Sequence, residues 1–205
     1  MTTHVARMCA RASAGVTERM QAARVAIAGA GGLGSNLALL LVRSGLGTLR
    51  IVDFDRVEYS NLNRQAYDLR HIGQEKVLAL AQRAKEINPD VRVEAICARV
   101  NEQNAAQLFS GFPIVCEAFD RAEEKSMLIS TLGAQLPEAK LISASGMGGL
   151  SSANGIQTRR AMKNLYLCGD YVSDMAEGVM APRVMLCAAQ QANMVLRLIA
   201  GELEP

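Results

Sequence analysis

Histidine is nearly absent: His4 and His71 are the only two in 205 residues. A mechanism built on an obligatory histidine base therefore has few candidates. Cysteine is sparse and odd in number, with Cys9, Cys97, Cys116, Cys168 and Cys187 and no pair at C-x-x-C spacing. That excludes a dense disulfide framework and leaves a four-cysteine zinc site without sequence support. A reducing compartment, the cytoplasm, is the expectation. Cys97 and Cys116 lie inside apolar runs and read as buried core thiols. Long apolar runs are missing too. The densest, Leu37–Val42, has six residues, against the ~20 of a membrane helix, so no membrane association is expected. Charge of one sign is lacking: the formal net charge of +2 offers no basic field for nucleic acid. Nor does the chain contain G-x-S-x-G, H-E-x-x-H or G-x-x-x-x-G-K-[ST].

What is present is ordinary globular usage, 50% hydrophobic and 20% charged. At this length it suits one domain over residues 1–205, burying about 70% of its unfolded surface. Arg outnumbers Lys by 17 to 5, which favours planar, bidentate contacts to carboxylate or phosphate. Residues 1–24 hold four Arg and a single acid, Glu18. That is the composition of an organelle leader, and equally of a helical extension over 1–23 that feeds the first strand; the helix is the preferred reading.

Strand and helix patterns alternate. Strands are expected at Arg24–Ala28, Thr48–Phe54, Val91–Cys97, Pro113–Phe119 and Lys140–Ala144. Helices are expected at Ser35–Ser44, Gly73–Asn88, Gln103–Phe109, Arg121–Leu136 and Arg183–Ile199. Strands apolar on both faces, separated by helices, argue an α/β fold. It is doubly wound and Rossmann-like, with a mostly parallel sheet and helices on both faces. Two segments break the rhythm: the polar loop Asp55–Asp68 and the Gly/Ser-rich stretch Gly146–Thr158, expected as a flexible loop.

The chemistry concentrates at few places. Gly29, Gly31 and Gly34 satisfy G-x-G-x-x-G between a strand and a helix, where unpaired N–H groups and the helix dipole favour a phosphate. Asp53 closes the second strand nineteen residues after Gly34, where an acid holds a ribose. This constellation predicts a nucleotide without choosing between NAD and ATP. Asp120 follows the fourth strand, at the lip opposite the glycines. A carboxylate there serves a Mg²⁺ bound to polyphosphate, or simply caps the next helix with Glu123 in a capping box. Arg64 and Lys76 supply cations. Lys76 begins a helix, where the macrodipole disfavours it unless an anion answers.

The segments GAGGLGSN, IVDFDRVEYSNLNRQ and GQEK, with the Asp after PIVCEAF, resemble the ThiF/MoeB/ubiquitin-activating superfamily over about Arg24–Gly201. LYLCGD and MAPRVMLCAAQQANMVLRLI resemble its short ThiF form. The resemblance implies ATP- and Mg²⁺-dependent adenylation of the C-terminal glycine of a ubiquitin-fold sulfur carrier similar to ThiS, for thiamine thiazole synthesis, by a homodimer. It implies that Gly32 and Asp53 contact ATP and that Ser60, Asn61 and the rest of the segment to Arg64 line the nucleotide. Arg64 and Lys76 would meet phosphates, and Asp120 would bind Mg²⁺. Arg121 stands where relatives often have Asn. The paired C-x-x-C zinc motifs are missing, so no zinc is expected. No N-terminal R-Y-x-R-Q segment is evident; Arg7, Arg11 and Arg19 are unmatched candidates for the Arg lent across a dimer. A cysteine adduct on Cys168 or Cys187 is unassigned, and both read as structural thiols. The 146–158 segment is the expected rim for the carrier's diglycine tail. The alternatives are a MoeB-like or tRNA threonylcarbamoyladenosine dehydratase-like enzyme, an NAD-dependent oxidoreductase, or a non-enzymatic partner subunit.

Overall fold

The structure is a computed structural model and describes residues 4–13 and 15–205. Residues 1–3 and 14 of the expected 1–23 extension lie outside the described residues. The rest of it forms two short helices, α1 (His4–Met8) and α2 (Val16–Ala22). Then follow β1 (Arg24–Ala28), α3 (Gly32–Arg43), β2 (Thr48–Asp53), α4 (Lys76–Ile87), β3 (Arg92–Cys97), α5 (Ala105–Phe109), β4 (Ile114–Glu117), α6 (Ala122–Gln135) and β5 (Lys140–Ala144). The chain finishes with β6 (Gln157–Met162), β7 (Leu165–Gly169) and α7 (Ala181–Ala200).

All seven strands join one sheet in the order β3-β2-β1-β4-β5-β7-β6. Only β6 runs antiparallel, paired to β7. The central strands β1 and β4 are buried along almost their whole length, because helices cover both faces. One apolar cluster joins β1 and β2 to α3, α4 and α7 through Leu37, Leu41, Leu80 and Val195. The other packs α5 and α6 through Phe109, Leu128 and Leu132. The strand order reverses between β1 and β4, and this switch point opens at the carboxyl ends of the strands.

Four expectations need correction. The sheet has seven strands, not five: β7 is an apolar interior strand, and β6 is an exposed edge that lacks such a run. Helix α3 starts at Gly32, three residues early, and takes the later glycines into its first turn. Cys97 is exposed rather than buried, since it ends β3, an edge strand with no neighbour on one side.

The fourth concerns the 146–158 segment, which is tied down. The buried Arg183 donates from Nε to the Gly148 carbonyl at 2.9 Å and from Nη1 to the Ser151 and Ser152 carbonyls. Its Nη2 pairs with Asp170. A Cβ on Gly148 would lie 1.9 Å from the Asp174 carbonyl oxygen, so only glycine allows that backbone approach.

Burial opposes ionisation of Asp170, but bonds from Ser173, Val172 and Arg183 outweigh it and hold the carboxyl well below the usual range. A folded-state pKa below the unfolded value stabilises above about pH 4 and is lost as pH falls beneath it. Asp170→Asn should therefore remove about 3 kcal/mol at pH 7. The gap from the parent protein should shrink between pH 5 and pH 3, read from urea unfolding. A variant as stable as the parent at pH 7 contradicts the assignment.

Candidate active site

The site begins with a close approach of backbones. Gly29 leaves β1 with φ +100°, and a Cβ there would meet the Ala118 carbonyl oxygen at 2.7 Å. A Cβ on Gly34 would meet the Gly29 carbonyl oxygen at 1.8 Å. These two glycines let α3 start directly above β1 and β4. Gly31 is different: the nearest atom to its Cβ position is 3.9 Å away. It faces a cavity of about 290 Å³.

The walls of that cavity come from the ends of four parallel strands. The glycine loop supplies Gly29, Gly31 and Gly32; β2 and its exit supply Asp53, Phe54 and Asp55; β3 supplies Ala98, Arg99 and Val100; β4 supplies Phe119, Asp120 and Arg121. Arg64, Gln65 and Lys76 close one side.

Asp53 fixes the loop. Its Oδ2 accepts from the Ala30 N–H at 2.6 Å and its Oδ1 from the Asp55 N–H at 2.7 Å. Tyr67 Oη donates to the other end of the same residue, the Ala30 carbonyl, at 2.8 Å. Burial first, then the Asp53 charge, pushes the Tyr67 phenol up, so it stays a protonated donor. Ala30 is thus pinned from both sides. Tyr67 escapes a motif-based reading because its work is a hydrogen bond to distant backbone.

Arg64 is positioned from behind. Asn36 Nδ2 donates to the Gly32 carbonyl at 2.7 Å and to the Arg64 carbonyl at 2.9 Å. Ser35 Oγ donates to the Gly31 carbonyl at 2.6 Å and accepts from the Ala66 N–H at 2.9 Å. Arg64 Nη1 donates to the Ser60 carbonyl at 3.0 Å and to Asn63 Oδ1 at 2.7 Å. Ser60 and Asn61 themselves do not border the cavity. Asn61 is buried and its Oδ1 accepts from the Glu58 N–H at 3.0 Å, which shapes the turn. Gly34 also lies outside the wall, where its missing side chain admits the Gly29 carbonyl.

Lys76 opens α4 and is buried. The anion that answers it is Asp55: Nζ donates to Oδ2 at 2.8 Å and the Lys76 N–H to the Asp55 carbonyl at 2.9 Å. Gln65 was missed by the sequence reading. It is 7% exposed and borders the cavity, and its Oε1 has no hydrogen-bond partner. Nothing in its residue type marks it; only its burial does.

Asp120 stands exposed on the opposite lip, with no hydrogen bond or ion pair among the described residues. Helix α6 begins at Ala122 with Arg121 as its flanking residue and no side-chain cap, so Asp120 is not spent as a cap. Its loop is clamped at the root by the buried Glu117. That carboxylate accepts from the Phe119 N–H at 2.6 Å and pairs with Lys125 at 2.6 Å. Arg64 and Arg121 have no carboxylate partner among the described residues. The cavity therefore offers two uncompensated guanidiniums, a helix N-terminus and one free carboxylate. That set suits a polyanion held with a hard cation. No histidine borders it.

Cys168 and Cys187 are buried away from this cavity. Burial pushes the Cys168 thiol up to about 11, against a lowering hydrogen bond from Thr158. It pushes Cys187 up further. Among the described residues, no group of three or more His, Cys, Asp or Glu is arranged to hold a metal. None of their helices is long and apolar enough to cross a membrane.

The model of the ThiF family matches residues 5–205. The chain belongs to the ThiF family. It is 40% identical to a sulfur carrier protein adenylyltransferase of Thermus thermophilus over 104 residues, 50% of this chain and 38% of that one. It is 33% identical to the tRNA threonylcarbamoyladenosine dehydratase of Escherichia coli over 145 residues, 70% of this chain and 53% of the other. The chain thus spans about half the length of these relatives, or less. The crystal structure of the Escherichia coli dehydratase in complex with ATP superposes with a TM-score of 0.85 at 21% identity, covering 96% and 93% of the two chains. That likeness is one of fold.

The glycines separate in their expected effects. Gly34→Ala should cost about 3 kcal/mol or more, since backbone must move. Gly31→Ala should leave the melting temperature within a few degrees yet weaken binding of any ligand seated there at least tenfold by placing a methyl in the cavity. Paired thermal melts and calorimetric titrations check this, and equal destabilisation by both would refute it.

Proposed function

We propose that this chain binds ATP with Mg²⁺ in the cavity between Gly29 and Asp120 and transfers AMP to a carboxylate. The acceptor we favour is the C-terminal glycine of a ubiquitin-fold sulfur carrier similar to ThiS, in thiamine thiazole formation, with the chain acting as a homodimer in the cytoplasm. The observation that carries the reading is the free Asp120 carboxylate across the cavity from the glycine loop and from Arg64, which has no carboxylate partner among the described residues. The relatives named as adenylyltransferases, and the neighbour solved with ATP, support it.

The residues suit the reaction. The acceptor carboxylate is already ionised at neutral pH, which agrees with a cavity free of histidine. One carboxylate oxygen bonds to the α-phosphorus; the bond to the bridging oxygen breaks, and pyrophosphate leaves with that electron pair. The difficulty is bringing two anions together. Backbone N–H groups at the start of α3, Arg64 and Lys76 lower that barrier by fixed positive charge, with no reorganisation needed at the moment of reaction. Lys76 would exchange part of its bond to Asp55 for a phosphate oxygen. Asp53, already oriented by Ala30 and Asp55, keeps lone pairs for a ribose hydroxyl. Asp120 is the residue that would hold Mg²⁺, a hard cation that takes one carboxylate with water and phosphate oxygens. The ion would supply charge neutralisation on the phosphates. The buried Gln65 Oε1, which has no hydrogen-bond partner, would gain one when the nucleotide binds. The tethered rim at 146–158, whose Met147 borders the cavity, is our candidate path for the carrier's diglycine tail.

A second reading takes the carboxylate of threonylcarbamoyladenosine in tRNA as acceptor. The dehydratase relative, matched over 70% of this chain, favours it. Exchange of labelled pyrophosphate into ATP separates the two. Exchange that requires a ThiS-type protein ending in Gly-Gly supports the first, and exchange that requires the modified tRNA supports the second. Asp120→Ala should lower exchange at least a hundredfold while ATP still shifts the melting temperature. Stabilisation by NAD and not by ATP would replace both readings with an oxidoreductase.

A further inference from the structure

The cavity has two chemically distinct ends. Gly29, Gly31, Arg64 and Lys76 make one, rich in positive charge. Val52, Phe54, Ala98, Arg99 and Val100 make the other, largely apolar. Arg99 is the single cation at the second end, and it has a partner on two sides. Its Nη1 lies 3.4 Å from Glu124 Oε1, and its guanidinium carbon sits 4.2 Å from the centroid of the Phe54 ring. Arg99 leaves β3 and Glu124 stands on α6, after β4.

We infer that Arg99, braced by Phe54 and Glu124, is the binding residue for the purine base at the β3 end of the cavity. This rests on the nucleotide reading above. Two physical arguments support a base over a phosphate. First, β3 lies two strands from β1, roughly 10 Å from the glycine loop, about the span from polyphosphate to base with Asp53 between them. Second, Arg99 stands among apolar residues with its guanidinium carbon 4.2 Å from the Phe54 ring centroid, and its planar, weakly hydrated other face can stack on an aromatic base. Holding that plane before the ligand arrives removes the ordering cost of a long side chain on binding.

The test titrates AMP and, separately, inorganic tripolyphosphate into the parent chain, Arg99→Ala and Arg99→Lys. Arg99→Ala should weaken AMP about tenfold and leave tripolyphosphate unchanged. Arg99→Lys keeps the charge and the reach to Glu124 but not the plane, so it should weaken AMP to a similar degree. Glu124→Gln, which loosens the brace without removing the guanidinium, should weaken AMP by less than Arg99→Ala does. The inference is overturned if Arg99→Ala binds AMP like the parent, if it loses tripolyphosphate as strongly as AMP, or if lysine restores AMP affinity. Those results leave ATP binding by the parent intact. A parent chain that binds neither probe removes the nucleotide reading itself.

Discussion

Everything at the mouth of this sheet depends on three backbones meeting without side chains between them. The Gly29 carbonyl oxygen lies where a Cβ of Gly34 would stand, and the Ala118 carbonyl lies where a Cβ of Gly29 would. Because of that contact, α3 starts against the sheet and aims its free N–H groups over the gap between β1 and β4. Asp53 and Tyr67 then hold Ala30 at both ends. A helix displaced by one methyl group would leave neither an anion site nor a fixed lip for Arg64, whose carbonyl is gripped from the same helix by Asn36.

A second, independent brace sets the opposite lip. Glu117 is buried, yet its carboxylate is satisfied by Lys125, by the Phe119 N–H and by Ser143. Breaking one partner of such a cluster is costly, so the loop leaving β4 is fixed at its root while Asp120 stays unpaired at its tip. The contrast with Lys76 is instructive. Lys76 is tied to Asp55 in advance, and Arg99 to Glu124; Arg64, Arg121 and Asp120 are not tied to an opposite charge. The groups left without one all border the same cavity.

The third layer, around Arg183 and Asp170, holds the loops beside the cavity. A glycine- and serine-rich stretch reads as loose because such residues permit many conformations. Here the same smallness lets backbones touch, and one buried guanidinium collects three of the carbonyls that result.

The period and composition of the chain were enough to show the alternation of five parallel strands with helices, the strand–glycine–helix turn, Asp53 at the end of β2, and the choice of Asp120, Arg64 and Lys76 as the polar groups of interest. These features are local: a run of apolar residues, a spacing, a residue at the end of a strand. The antiparallel edge β6, the exposure of Cys97, the bracing by Tyr67 and Asn36, and the orphaned Gln65 were decided only by tertiary structure. So was the placement of Ser60 and Asn61 behind Arg64, outside the cavity wall. Each of these depends on which distant backbone lies opposite a side chain, or on whether a strand has a neighbour. Long-range contacts of that kind leave no period in the sequence.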